Sequence, residues 1–276
     1  MPKTALSYRR VEFHADRFVQ HTAITRAIED MNFVYELSGH NQRPVNLAIS
    51  GEGGIGKTSL INYFLSTALG VDPQHSHFGF RKNISTFDLP TDVTPTKLLN
   101  AILDPANANP QKMPLGSFAL KAEEMGLKLI IIDEFHELAR VPKNYRNQCL
   151  HLIKWIGNNL KIPFIVAGTA DIERVFKSDN QLGRRFKVLT MKRWEPGREF
   201  EYFIYSYLKS LPGFEELETL SKELFDLLLH GQSNTTFDIK TTLGEAAYQA
   251  YCHQDISNIH VYARKIAMTT GHYVNG

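Results

Sequence analysis

Residues 51–58 read GEGGIGKT, and this stretch decides the fold. A glycine, four free positions and Gly-Lys-Thr make a loop that curls tightly enough to aim backbone N–H groups inward. Such a nest of donors holds phosphate oxygens. Gly51, Glu52, Gly53, Gly54, Ile55 and Gly56 supply the loop. Lys57 is placed to reach the β- and γ-phosphates, Thr58 to offer its hydroxyl to Mg²⁺, and Ser59 to open the following helix. Residues 45–50 (VNLAIS) are an apolar run that fits a buried strand, and 59–69 (SLINYFLSTAL) carry apolar residues at helical spacing. Strand, glycine loop and helix N-terminus is the geometry that phosphate capture needs.

Residues 127–138 read LKLIIIDEFHEL, a continuous apolar strand ending on two carboxylates. Charges at the end of a buried strand need a partner. Downstream of a phosphate loop, Asp133 is expected to hold the Mg²⁺ shell through water and Glu134 to polarise the water that attacks the γ-phosphate. That adjacent glutamate favours a hydrolase over a small-molecule kinase, which must exclude water. Residues 161–169 (KIPFIVAGT) form another buried strand, tipped by Gly168 and Thr169. The Thr169 hydroxyl is the expected contact to the γ-phosphate or the attacking water.

The remaining chain alternates in the same way. Residues 1–43 read as a polar lead and one helix at 23–37, and 81–89 as a second strand. Loops at 90–97 and 104–114 flank a short helix. Helices are expected up to Gly126, at 144–160 and at 170–179, with a final strand at 186–191. WEPG at 194–197 reads as a hinge. Residues 198–276 read as mostly helical, with loops at 211–213 and 230–238. The expected domains are therefore 1–43, 44–196 and 197–276. Alternating strands and helices predict an α/β fold, a doubly wound parallel sheet with a small C-terminal helical domain. Phe18 and Val19 are candidates to cover an adenine base, or to pack in a core.

Composition excludes several classes. No apolar run approaches the roughly 18 residues that span a bilayer, so no membrane is expected. MPKTALSYRR at the start lacks a signal-peptide core. Cys149 and Cys252 lie far apart and outside any metal-binding pattern, which points to a cytoplasmic protein. The net charge of +2 is unevenly spread. Residues 199–276 carry five Lys/Arg and ten Asp/Glu, whereas residues 1–198 carry a net +7. The larger part is the one suited to a polyanion.

The phosphate loop, the Asp-Glu strand end, the Thr169 strand tip, a following arginine and a helical C-terminal part together resemble an AAA+ P-loop ATPase. IDEFHEL, LIKWIGNNLKIPFIVAGT, DNQLGRRF and Trp194 narrow the resemblance to the TniB/TnsC family of ATP-dependent transposition regulators. It covers residues 45–194 well and the C-terminal part loosely. The resemblance implies ATP and Mg²⁺ as cofactors and a homo-oligomer, a ring or filament on double-stranded DNA. It implies a DDE transposase and a TniQ-type target selector as partners, with hydrolysis taking the assembly apart. It makes Arg185 the arginine finger for a neighbouring subunit, with Arg184 the alternative. Lys240 stands where the family often has a sensor arginine, and His136 matches the pattern without an assigned role. Thr94, Thr96, Lys97 and Lys112 fall in loops that line the DNA channel of related assemblies, or are ordinary solvated residues. A helicase-loader-like ATPase and a DNA scaffold with negligible hydrolysis are the competing readings.

Overall fold

The computed structural model of the protein describes residues 10–38, 43–70, 79–81, 83–106, 110–230 and 234–269. Of the loops expected at 104–114 and 230–238, residues 107–109 and 231–233 lie outside them. The chain divides into two compact units. One comprises Arg26–Glu52 and Lys57–Met191; the other comprises Met1–Thr25, Gly53–Gly56 and Lys192–Gly276.

The first unit is an α/β sheet. Its strands are β1 (Asn46–Ser50), β2 (Gly79–Arg81), β3 (Ile84–Asp88), β4 (Leu129–Asp133), β5 (Phe164–Gly168) and β6 (Phe186–Thr190). Their order is β2-β3-β4-β5-β1-β6, and every pair except β2–β3 is parallel. Leu129, Ile130, Ile131 and Ile132 are all fully buried. Since successive side chains face opposite ways, both faces of the sheet are covered, as a parallel sheet requires. The helices are α1 (Thr22–Glu36), which starts in the other unit, α2 (Lys57–Leu69), α3 (Pro95–Leu103), α4 (Leu115–Glu124), α5 (Lys143–Asn159), α6 (Ile172–Ser178) and the single turn α7 (Asn180–Gly183). Phe118, Leu138, Cys149, Ile153 and Phe164 lie in the core on one face. Burial pushes the Cys149 thiol up to about 12.

Two local expectations change. The single strand expected at 81–89 is instead a hairpin, with Arg81 opposite Ile84. Asn83 breaks the run: its carbonyl accepts from the Lys128 and Leu129 N–H groups, and its side chain accepts from the Tyr35 hydroxyl at 2.9 Å. A polar residue anchored on both sides ends a strand. The loop expected at 90–97 is shorter than that, because Thr94 caps α3, accepting from the Lys97 N–H at 3.3 Å, and Pro95 starts the helix.

The second unit is helical. It contains α8 (Arg198–Lys209), α9 (Lys222–His230), α10 (Thr236–Cys252) and α11 (Ile259–Thr269). Phe200, Ile204, Leu208, Leu224, Leu243 and Ala263 form its core, and Phe13 joins them from the N-terminal segment. Gly244 lets that segment approach, for a Cβ there would stand 2.7 Å from the Phe13 carbonyl oxygen.

Candidate active site

The glycine loop follows directly from β1. Gly54 and Gly56 take φ values of +72° and +103°, which L side chains rarely adopt. The loop is tied to the neighbouring strand where the Gly51 N–H donates to the Gly168 carbonyl at 3.1 Å. Lys57 is buried, and its ammonium donates to the carbonyls of Gly51 at 2.8 Å and Glu52 at 2.7 Å. Burial lowers its pKa, against the opposing pull of Asp133 and Glu134. These two carbonyls are what a phosphate would have to displace.

Thr58 and Asp133, 75 residues apart in sequence, meet at the carboxyl end of β4: the Thr58 hydroxyl donates to Asp133 Oδ2 at 2.6 Å. A hydroxyl and a carboxylate side by side are hard oxygen donors of the kind Mg²⁺ takes. Among the described residues no three His, Cys, Asp or Glu side chains converge to hold an ion alone. That fits Mg²⁺, which usually binds one or two carboxylates together with substrate phosphates.

Glu134 sits at the turn out of β4 in a left-handed conformation, φ 52° and ψ 30°. Its N–H donates to Asp133 Oδ1 at 2.8 Å, so both Asp133 oxygens are engaged and its carboxylate is fixed in orientation. Glu134 itself stays half-exposed, within reach of water. Thr169 follows the tip of β5, next to β4, and its hydroxyl is buried with no hydrogen-bond partner. A donor left unmade in this position suits a ligand.

Asp88 was not among the candidates read from the sequence. It pairs in register with Asp133 at the end of β3, making a third carboxylate at this end of the sheet. Partial loss of solvent, then the charges of Asp133 and Glu134, push its carboxyl up to about 6. A carboxylate at a strand end was the available signal, but only strand order shows that it stands beside Asp133.

Other expected residues lie elsewhere. Arg185 precedes β6, where its carbonyl accepts from the Asn46 N–H, and its guanidinium donates to Asn158 Oδ1 at 2.7 Å. It is therefore at the amino end of β1, whereas the glycine loop is at the carboxyl end, roughly 16 Å away at about 3.3 Å per residue. Lys240 is bound to Asp16 Oδ1 at 2.5 Å and lies over the Tyr207 ring. Thr96 and Lys97 belong to the first turn of α3 and Lys97 pairs with Asp92; Lys112 is exposed. Val19 packs against the helical core. In the helical unit, which includes the loop tip, the Phe237 N–H donates to the Gly54 carbonyl at 2.9 Å and the Thr236 hydroxyl to that of Ile55 at 3.2 Å. The Trp194 indole N–H donates to Thr236 Oγ1 at 3.1 Å, so the expected hinge residue helps to hold this cap.

Solved structures share this architecture. The Aeropyrum pernix ORC2 protein, solved as ADPNP-ADP complexes, superposes with a TM-score of 0.62 at 13% identity, covering 93% of this chain and 71% of that one. Drosophila ORC bound to DNA gives 0.60 at 13% identity, covering 96% and 65%. A Thermotoga maritima RuvB variant gives 0.51 at 12% identity, covering 87% and 69%. At such identities the likeness is one of fold, and the fold is that of the AAA+ proteins. No curated protein matches the chain in sequence. The model of the family described as "Bacterial TniB protein" matches residues 9–196, more than half of the sequence, and the chain belongs to that family.

Proposed function

We propose that the protein is an ATP-dependent DNA-binding regulator of transposition. The contact between Thr58 and Asp133, whose chain neighbours are Lys57 and Glu134, is the observation that carries the nucleotide-site part of this reading. ATP would lie with its phosphates in residues Gly51 to Ser59, and Mg²⁺ would be held by Thr58 and, through water, Asp133. When bound there, Mg²⁺ would offset charge on the phosphates, and this chain's residues would do the rest. Lys57 exchanges its two carbonyl partners for phosphate oxygens, Thr169 orients the terminal phosphate or the water, and Glu134 takes the proton from that water.

Arg185, too far from its own loop to serve it, completes the site of a neighbouring copy, so hydrolysis depends on assembly. Residues 197–276 act as a lid, in which Lys240 reaches phosphate only if it leaves Asp16. Thr94, Thr96, Lys97 and Lys112 contact the phosphates of double-stranded DNA, positioning the protein without reading sequence. The assembly recruits a DDE transposase and a TniQ-type selector, and hydrolysis releases it. Family membership and the AAA+ fold support this reading.

Glu134→Gln tests it. The amide cannot accept a proton, so ATP binding and assembly on duplex DNA should persist while phosphate release falls by at least 10²-fold. Turnover at the wild-type level would overturn the assignment.

A further inference from the structure

Behind Glu134 stands a buried histidine with two competing uses for one nitrogen. Nδ1 of His136 lies 3.1 Å from Glu134 Oε2 and 3.4 Å from the Thr169 amide nitrogen. On the far side of the ring, Nε2 faces Glu137 Oε1 at 3.5 Å. That same oxygen accepts from Arg140 Nη1 at 2.5 Å. His136 and Glu137 are buried, whereas the Arg140 side chain is 64% exposed. The four residues thus connect the hydrolytic carboxylate to the surface.

A neutral imidazole has one N–H and one lone pair. Contact with Glu134 requires the proton on Nδ1. Contact with the Thr169 N–H requires the lone pair there. One nitrogen cannot do both, so the ring has two settings. In the first it donates to Glu134 and restrains that carboxylate. In the second the proton sits on Nε2 and is given to Glu137, Nδ1 accepts from Thr169, and Glu134 is left free to take a proton from water. The ring is wedged in place for this choice: a Cβ on Gly168 would come within 2.9 Å of Nδ1 and 3.1 Å of the His136 backbone nitrogen.

Glu137 decides between the settings. Its Oε2 is buried without a hydrogen-bond partner, and its Oε1 is neutralised by Arg140. Removing Arg140 would leave a buried carboxylate with His136 as its remaining side-chain partner among the described residues, and a buried charge takes the donor it can reach. The imidazole proton would then move to Nε2.

We infer that His136 is a positioning residue that restrains Glu134, and that the Glu137–Arg140 pair sets its tautomer, so that drawing Arg140 away releases Glu134. This rests on the reading of Glu134 as the hydrolytic base. It makes the unusual prediction that damage to the network raises hydrolysis.

The test uses the full chain with Mg²⁺ and ATP, with and without duplex DNA, and reads kcat, KM and nucleotide affinity. Arg140→Ala lies at the surface and should fold normally. His136→Gln keeps an amide near the Nε2 position and loses the group facing Glu134; its thermal melt is taken alongside. Each should raise kcat without DNA by about tenfold, the weight of one hydrogen bond to a carboxylate, with KM and nucleotide affinity within about threefold. The double variant should gain no more than either single one. If Arg140→Ala leaves kcat unchanged or lowers it while Glu134→Gln is inactive, the restraint is refuted and the hydrolytic reading stands. If Arg140→Ala still activates in the His136→Gln background, Arg140 works by another route and the relay is refuted. If Glu134→Gln hydrolyses ATP as the wild type does, the underlying reading fails, and this inference with it.

Discussion

At the carboxyl ends of the parallel strands stand Asp88, Asp133 and Glu134, and Lys57, which follows β1 at the same end, is buried. At the amino ends, Arg43, Lys154, Arg184, Arg185 and Lys187 line a cavity of about 490 Å³ floored by Pro44, Ile153 and Phe186. Two of these cations have carboxylate partners, Lys154 with Asp179 at 2.5 Å and Lys187 with Asp30 at 2.7 Å. Among the described residues, Arg185 donates to a neutral amide, Asn158. One end gathers carboxylates, and the other gathers five cations, of which Lys154 and Lys187 have carboxylate partners among the described residues. A head-to-tail pairing of two such ends would give rings or helical filaments rather than closed pairs. Arg185, the finger that the family resemblance implies, lies at the second of these ends.

The comparison can be broken most decisively at Arg185. Arg185→Ala should lower hydrolysis by on the order of 10³-fold, the worth of such fingers in P-loop enzymes, while isolated subunits still bind ATP. Mixing it with Lys57→Ala subunits should restore part of the activity, since each supplies what the other lacks. Wild-type turnover in Arg185→Ala would transfer the role to Arg184.

Lys57→Ala attacks the other end. It removes the charged partner of the phosphates, and nucleotide affinity should fall by about 10²-fold, in line with the loss of charge-assisted hydrogen bonds. DNA-bound assembly should fall with it. Equilibrium binding of a fluorescent ATP analogue checks the first, and electron microscopy with duplex DNA the second. Unchanged affinity would remove the loop from the nucleotide site.

The smallest effect is expected at Asp88. Its carboxyl is raised to about 6, above the usual carboxylate range, so the folded chain holds the proton more tightly than the unfolded one. The stability this provides is complete below about pH 4 and is lost as pH rises through 6. Asp88→Asn should therefore raise the melting temperature of the nucleotide-free protein at pH 8, by about 2 °C given the exposure of the group. The gain should shrink at pH 5. An equal gain at both values would show that charge crowding is not the cause.

The sequence made the central strands legible because burial on both faces leaves continuous apolar runs, as in Leu129–Asp133 and Phe164–Gly168. The glycine loop was legible because its chemistry is local. The hairpin β2 was not, since three residues carry no periodicity and Asn83 acts through distant partners. Asp88 was missed for a related reason: its environment is a matter of strand order, and ISTFD alone does not say that the next strand ends in Asp133. Lys240 shows the same limit. It stands where the resembled family often has a sensor arginine, which implied a phosphate contact, but its partner in the fold is Asp16, 224 residues away in sequence. His136 was visible as a pattern, but its two competing hydrogen bonds require the β5 tip to be in place.

The two cysteines have an experimental consequence. A thiol reagent attacks the thiolate, and Cys149 lies in the core of the α/β unit with its thiol pushed to about 12. Cys252 closes α10 and is exposed. This sequence thus offers a maleimide dye Cys252, in the helical unit, with Cys149 shielded by burial. A fluorophore there would report on α10, whose first turn holds the tip of the glycine loop, while the chemistry proceeds on unlabelled residues.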